Sequence, residues 1–102
     1  MSDIKVLEQR ALEVRRRYDQ LEKSRNRQPW NAIKLTRGFK KDLTELLRVV
    51  EQDMIDRKKM SQELADCFWS VLVIARKLDI DVERIFWTRM AELDNRLDGA
   101  SK

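Results

Sequence analysis

A shortage of chain breakers constrains this sequence more than any other feature: Pro29 is its one proline, and Gly38 and Gly99 are its only glycines. Sheets are assembled through tight turns, and tight turns draw on residues that supply a positive or a fixed φ. A chain this poor in both has little means of making hairpins. Charged residues make up 39% and apolar ones 42%, the balance expected of amphipathic helices. The fold class read from this is all-α. At 102 residues the chain is one domain with a modest core, which association with further copies would reinforce.

Hydrophobic periodicity divides the chain into four helices. Ile4, Leu7, Ala11, Val14, Tyr18 and Leu21 recur at three- and four-residue steps and define a long first helix within residues 1–28. The polar run before Pro29 ends it, since Pro29 disfavours helical geometry at Gln28 and lacks an amide donor. A second helix is expected from about Phe39 to Arg57, with Gly38 near its start and Phe39, Leu43, Leu46, Leu47, Val50 and Met54 inward. A third is expected from Ser61, acting as N-cap, to about Leu78. Asp81 caps a fourth that carries Ile85, Phe86, Met90, Leu93 and Leu97, and residues 99–102 form a frayed tail. Residues 1–98 thus form one antiparallel four-helix bundle, and the long first stripe points to association through helices.

Several classes of function are disfavoured at this stage. The lone Cys67 has no partner for an intramolecular disulfide, and with no histidine there is no Cys/His zinc cluster, so a reducing compartment fits best. The first ten residues show no apolar leader, and the longest nearly apolar run, Leu64 to Ala75, contains Asp66 and falls short of a membrane span. A soluble, cytoplasmic protein is the expectation. The net charge of +4 is uneven, with eight Lys/Arg against five Asp/Glu in residues 1–30. Such a surface suits an anionic small molecule, and equally an ordinary solvated helix face. The Arg15-Arg16-Arg17 cluster raises nucleic-acid binding as an alternative, but acids interleave the basic residues and no nucleic-acid motif accompanies them.

Two segments share one pattern at an offset of 21 residues: Phe39-x-x-Asp42-Leu43-x-Glu45-Leu46-Leu47-x-x-Val50 and Met60-x-x-Glu63-Leu64-x-Asp66-Cys67-Phe68-x-x-Val71. On a helix each acidic pair, three residues apart, projects from one side and flanks the apolar stripe. If the two helices pack together, four carboxylates converge at the edge of their shared core. Asp66 is the only charged residue from Leu64 to Ala75, so the third helix is expected to be central, with Asp66 and Glu63 facing a partly enclosed space. Unpaired carboxylates there would repel one another and take up protons, a conflict that a divalent cation resolves. Magnesium is the apt ion, since it needs few carboxylate oxygens and completes its shell with waters and substrate phosphates. The plainer reading pairs these acids with Lys41, Arg48 or Arg76, or leaves them solvated.

Glu63-Leu64-Ala65-Asp66 and the run that follows it to Asp81 resemble the E-L-A-D helix and subsequent turn of MazG-like nucleoside-triphosphate pyrophosphohydrolases. Asp42-Leu43-Thr44-Glu45 resembles the E-x-x-E helix of that family, and the seventeen residues between Glu45 and Glu63 are a normal separation for the two motifs. The similarity runs from about Trp30 to Leu97. It implies an all-α, usually dimeric enzyme, a homodimer or homotetramer, that hydrolyses ribo- or deoxynucleoside triphosphates to monophosphate and pyrophosphate in the upkeep of nucleotide pools. Magnesium, with manganese as a substitute, would be held by Asp42, Glu45, Glu63 and Asp66. The proton acceptor implied is Glu45 or Glu63.

The chain departs from the family pattern within the first motif. Asp42 stands where a glutamate is usual and is one methylene shorter, Thr44 replaces a common glycine, and Lys41 replaces a frequent acid. A member that binds nucleotide without turning it over, or a purely structural helical dimer, is therefore the alternative. For the substrate, Trp30 can stack on a base or serve as a packing lid, and Lys34 can meet phosphate. Arg89 and Asn95 resemble a basic residue and an asparagine of the family's last helix, with Asp94 the competing register for the latter.

Overall fold

In the computed structural model, which describes residues 3–100, the chain forms four helices and, among those residues, no strand. They are α1 (Asp3–Ser24), α2 (Ala32–Val50), α3 (Arg57–Lys77) and α4 (Val82–Ala100). The all-α, four-helix expectation is met.

The boundaries are set by capping chemistry more than by Pro29. Asn26 adopts a left-handed φ of 57°, its amide bonds to the Lys23 carbonyl, and the Arg27 amide reaches back to the Glu22 carbonyl at 2.8 Å. This pair of reversed bonds closes α1 at Ser24, with asparagine tolerating the conformation that glycine usually supplies. The end of α3 is built the same way around Asp79, at φ 55°, with the Ile80 amide bonded to the Ala75 carbonyl. Both helices stop without a glycine.

Two expected starts are corrected. α2 begins at Ala32, not Phe39, because the Asn31 side chain accepts the Lys34 amide at 2.9 Å and caps the helix a full turn and more before Gly38. Gly38 lies inside α2, where a Cβ would stand 3.0 Å from Cζ3 of Trp30. The missing side chain lets that ring rest against the helix backbone. α2 also ends at Val50, well before Arg57, and α3 starts at Arg57 under an Asp56 cap whose carboxylate accepts the Lys59 amide at 3.1 Å. Ser61 is no cap, since its hydroxyl donates to the Arg57 carbonyl within the helix. Asp81 does cap α4, accepting the Arg84 amide at 3.2 Å. Gly99 and Ala100 continue α4, and the remainder of the expected tail lies outside the described residues.

α2 and α3, joined by a short turn, pack closely against each other, and α1 lies on α3. The shared core comprises Ala11, Leu35, Leu72 and Val73, with Trp30, Trp69, Ile74 and Val82 packed around it. The Trp69 indole N–H donates to the Ala11 carbonyl at 3.0 Å and fixes α1 across α3. α3 is not buried all round as expected. Its C-terminal half holds Leu72, Val73 and Ala75, whereas Leu64, Phe68 and Asp66 in the N-terminal half are exposed and Glu63 is half-buried. α4 buries no residue at all. The radius of gyration, 16.8 Å, exceeds the roughly 13 Å of a compact chain of this length, so the four helices do not close on one another.

Candidate functional site

The acids sit where α2 crosses α3. Asp42 projects from α2 toward α3 and accepts a hydrogen bond from the Ser70 hydroxyl, 3.0 Å from its Oδ2. One turn back along α3, Asp66 has its carboxyl raised above the ordinary 3.8, first by partial desolvation against the helices and then by the negative charge of Asp42. Cys67, buried beside them, has its thiol pushed up by burial and then by the charges of Asp42, Glu63 and Asp66. Asp42 from α2 and Glu63 and Asp66 from α3 thus all lie near enough to Cys67 to act on its thiol. No ion pair neutralises Asp42, Glu63 or Asp66 among the described residues. The plainer reading, in which the acids pair with nearby cations, holds for Glu45 alone of the four, whose carboxylate is 3.3 Å from Arg48.

Glu45 therefore takes a different place from the other three. With Arg48, Asp53, Asp56 and Lys59 it borders an open cleft of about 590 Å³ at the turn between α2 and α3. Among the described residues no three carboxylates or thiols close around a position that could hold a metal ion. The chemistry of the donors still fits a hard cation. Asp42, Glu63 and Asp66 offer only carboxylate oxygens, their charges lack a counter-ion, and they come from facing helices.

Trp30 lies on the other side of Ser70. A cavity of about 30 Å³ is bounded by Trp30, Gly38, Trp69 and Ser70, so the ring is one residue removed from the Asp42 hydrogen bond. The Arg15 guanidinium stands 5.1 Å from the Trp30 ring centre, 5.6 Å from Tyr18 and 5.9 Å from Trp69. Lys34 lies 5.2 Å from the same Trp30 ring. Such cation–π contacts are worth about 0.5–2 kcal/mol each, according to exposure. Arg15 also pairs with Asp19 at 3.1 Å, its side chain only 11% exposed. The basic cluster noticed in the sequence is thus split, with Arg15 spent on the core and Arg16 and Arg17 outward.

Arg89 and Asn95 are not brought to the acids. Both are exposed on α4, which packs extensively on neither α2 nor α3, and Arg89 is bonded to Glu92 at 2.8 Å on its own helix. Sequence reasoning missed the parts played by Ser70, Cys67 and Arg15. Ser70 stands one turn from Asp66 on the same side of the helix, but that placement does not announce its bond to Asp42.

No curated protein and no solved structure matches the chain closely enough to add a relative. The family model of the MazG nucleotide pyrophosphohydrolase domain matches residues 33–98, which is more than half of the chain and takes in all four acids. Together with the all-α fold, this match places the chain in the MazG nucleotide pyrophosphohydrolase family.

Proposed function

We propose that the protein hydrolyses ribo- or deoxynucleoside triphosphates to the monophosphate and pyrophosphate with magnesium as cofactor. What supports this reading is the family match, which takes in all four acids, together with Asp42, Glu63 and Asp66 lying near Cys67 without a counter-ion among the described residues. Asp42, Glu45, Glu63 and Asp66 would hold the metal. Magnesium, when bound there, supplies positive charge to the phosphate and lowers the pKa of a water. A carboxylate of the chain, Glu45 or Glu63, takes the proton as the water oxygen bonds to the α-phosphorus and the bond to the bridging oxygen breaks, releasing pyrophosphate. Glu63 is the half-buried candidate nearer the other acids, while Glu45 borders the cleft. Lys34 and Trp30 supply a cation and a ring at the base side of the same surface.

Arg89 and Asn95 can serve this site only from elsewhere, and a homodimer or homotetramer supplies them from a second copy. Support comes from the apolar surface one chain leaves open: Trp87 is 66% exposed, and a cavity of about 470 Å³ between Phe68, Leu72, Val82 and Phe86 is lined almost wholly by apolar groups. Exposed patches of this kind commonly mark association. Among the described residues no helix is long and apolar enough to cross a membrane.

A second reading is favoured by Glu45, which is turned to Arg48 and away from the other acids. In that reading the chain binds nucleotide, or only another helical protein, without turnover. Pyrophosphate release from a panel of ribo-, deoxy- and damaged nucleoside triphosphates, with and without magnesium, separates the two. Magnesium-dependent release supports hydrolysis; nucleotide binding with no release across the panel supports the degenerate reading.

A further inference from the structure

Serine and threonine hydroxyls on these helices bond back to the backbone of their own helix, with one exception among the described residues. Thr36, Thr44, Ser61 and Thr88 each donate to the backbone carbonyl four residues earlier, and Ser24 to the one three residues earlier. That is the ordinary outlet for a hydroxyl within a helix. Ser70 instead reaches off its helix to Oδ2 of Asp42, at 3.0 Å and half-buried. Among the described residues it makes the only side-chain hydrogen bond or ion pair that joins α2 to α3.

The acceptor is the shortest acid that could stand there. An aspartate on α2 has two side-chain torsions and a short reach, and as a free rotor it would divide its time between α3 and solvent. A hydroxyl-to-carboxylate bond is charge-assisted, strong enough to select one rotamer. We propose that Ser70 is a positioning residue that holds Asp42 against α3, occupying Oδ2 so that Oδ1 is kept for a divalent cation shared with Asp66 and Glu63. The inference rests on the reading of Asp42 as a metal ligand. It explains how a side chain one methylene shorter than glutamate serves at this position: the neighbouring helix contributes the alignment that the longer side chain would provide by reach. Groups hydrogen-bonded to metal ligands typically affect affinity by about 10–100-fold.

The test uses the full chain as wild type, Ser70→Ala and Ser70→Thr. Threonine keeps the hydroxyl, and its extra methyl can enter the cavity of about 30 Å³ beside Ser70. Manganese affinity by electron paramagnetic resonance and the magnesium-induced rise in melting temperature are both measured, beside melting without metal. The expected result is similar metal-free melting for all three, manganese affinity about ten-fold or more weaker in Ser70→Ala, and affinity near wild type in Ser70→Thr. Wild-type affinity in Ser70→Ala overturns the role of Ser70 and leaves the metal site standing. Equal weakening in Ala and Thr variants overturns it in favour of simple packing. A wild type that binds neither metal overturns the metal reading itself, and this inference with it.

Discussion

α3 and α4 are similar in length and carry similar proportions of apolar residues, yet their surroundings in one chain could hardly differ more. α3 lies between α1 and α2 and buries Cys67, Leu72, Val73 and Ala75, while α4 buries nothing and leaves Phe86, Trp87 and Leu97 exposed. Amphipathic helices are stabilised mainly by covering their apolar face, so the two must draw their stability from different sources. α3 draws it from its own chain, and the acids it shares with α2 are held there without help. In the proposed function a second copy covers α4, and Arg89 and Asn95 would reach substrate with that copy.

The comparison breaks first at the core. Leu72 is only 3% exposed, and Leu72→Ala should lower stability by about 2–5 kcal/mol at every protein concentration, measured by chemical unfolding. Trp87→Ala should behave differently. Its effect should appear as a loss of association, read by sedimentation, and the melting temperature of the wild type but not of the variant should rise with concentration. A wild-type chain that sediments as a monomer at micromolar concentration would mean that α4 stands alone, and would remove the proposed source of Arg89 and Asn95.

Gly38→Ala sharpens the account of the Trp30 side. Alanine favours helix by about 0.5–1 kcal/mol over glycine, but its Cβ would meet the Trp30 ring at 3.0 Å, so the ring must give way. The expected outcome is a stability change within about 1 kcal/mol of zero, as the two effects oppose, together with altered tryptophan fluorescence as Trp30 shifts between Arg15 and Lys34. Unchanged fluorescence would show that the ring does not rest on α2.

A smaller effect is expected from pH. The carboxyl of Asp66 is raised in the fold, so the native state holds its proton more tightly than the unfolded chain does. Its charge therefore opposes folding above the raised value, and that opposition fades as pH falls through the window down to the ordinary 3.8. Without metal, Asp66→Asn should melt slightly higher than wild type at neutral pH, and the difference should vanish below that window. Melting that drops in the variant at neutral pH would instead mean that the Asp66 charge has a stabilising partner.

How much of this was legible in advance depended on whether the signal was local. The existence of α1 and the Asp81 cap are spelled out by neighbouring residues, and so is the paired motif that carries Asp42, Glu45, Glu63 and Asp66, whereas of the α1 stripe only Ala11 is buried and Leu7, Tyr18 and Leu21 are exposed. The start of α2 was obscured because Gly38 reads as a boundary when taken locally, whereas its purpose is to receive Trp30, eight positions earlier. Asp56 and Ser61 are both competent caps by type, and only the fold shows that Ser61 bonds within its helix. Ser70 posed the hardest case. A serine on a helix is expected to bond backward, and nothing in its neighbours announces a carboxylate arriving from a position 28 residues away. Likewise Arg15 looks like part of a basic run until Trp30, Tyr18 and Trp69 are seen around it.

The central claim is that carboxylates of α2 and α3 hold a divalent cation, and manganese binding to wild type and Asp66→Asn, followed by electron paramagnetic resonance, tests it most directly. Asparagine keeps the shape and removes the charge. The account predicts saturable manganese binding by the wild type, displaced by magnesium, and a large loss of affinity in a variant whose helical circular dichroism is unchanged. Equal manganese binding by the two proteins, or none by either, would contradict it.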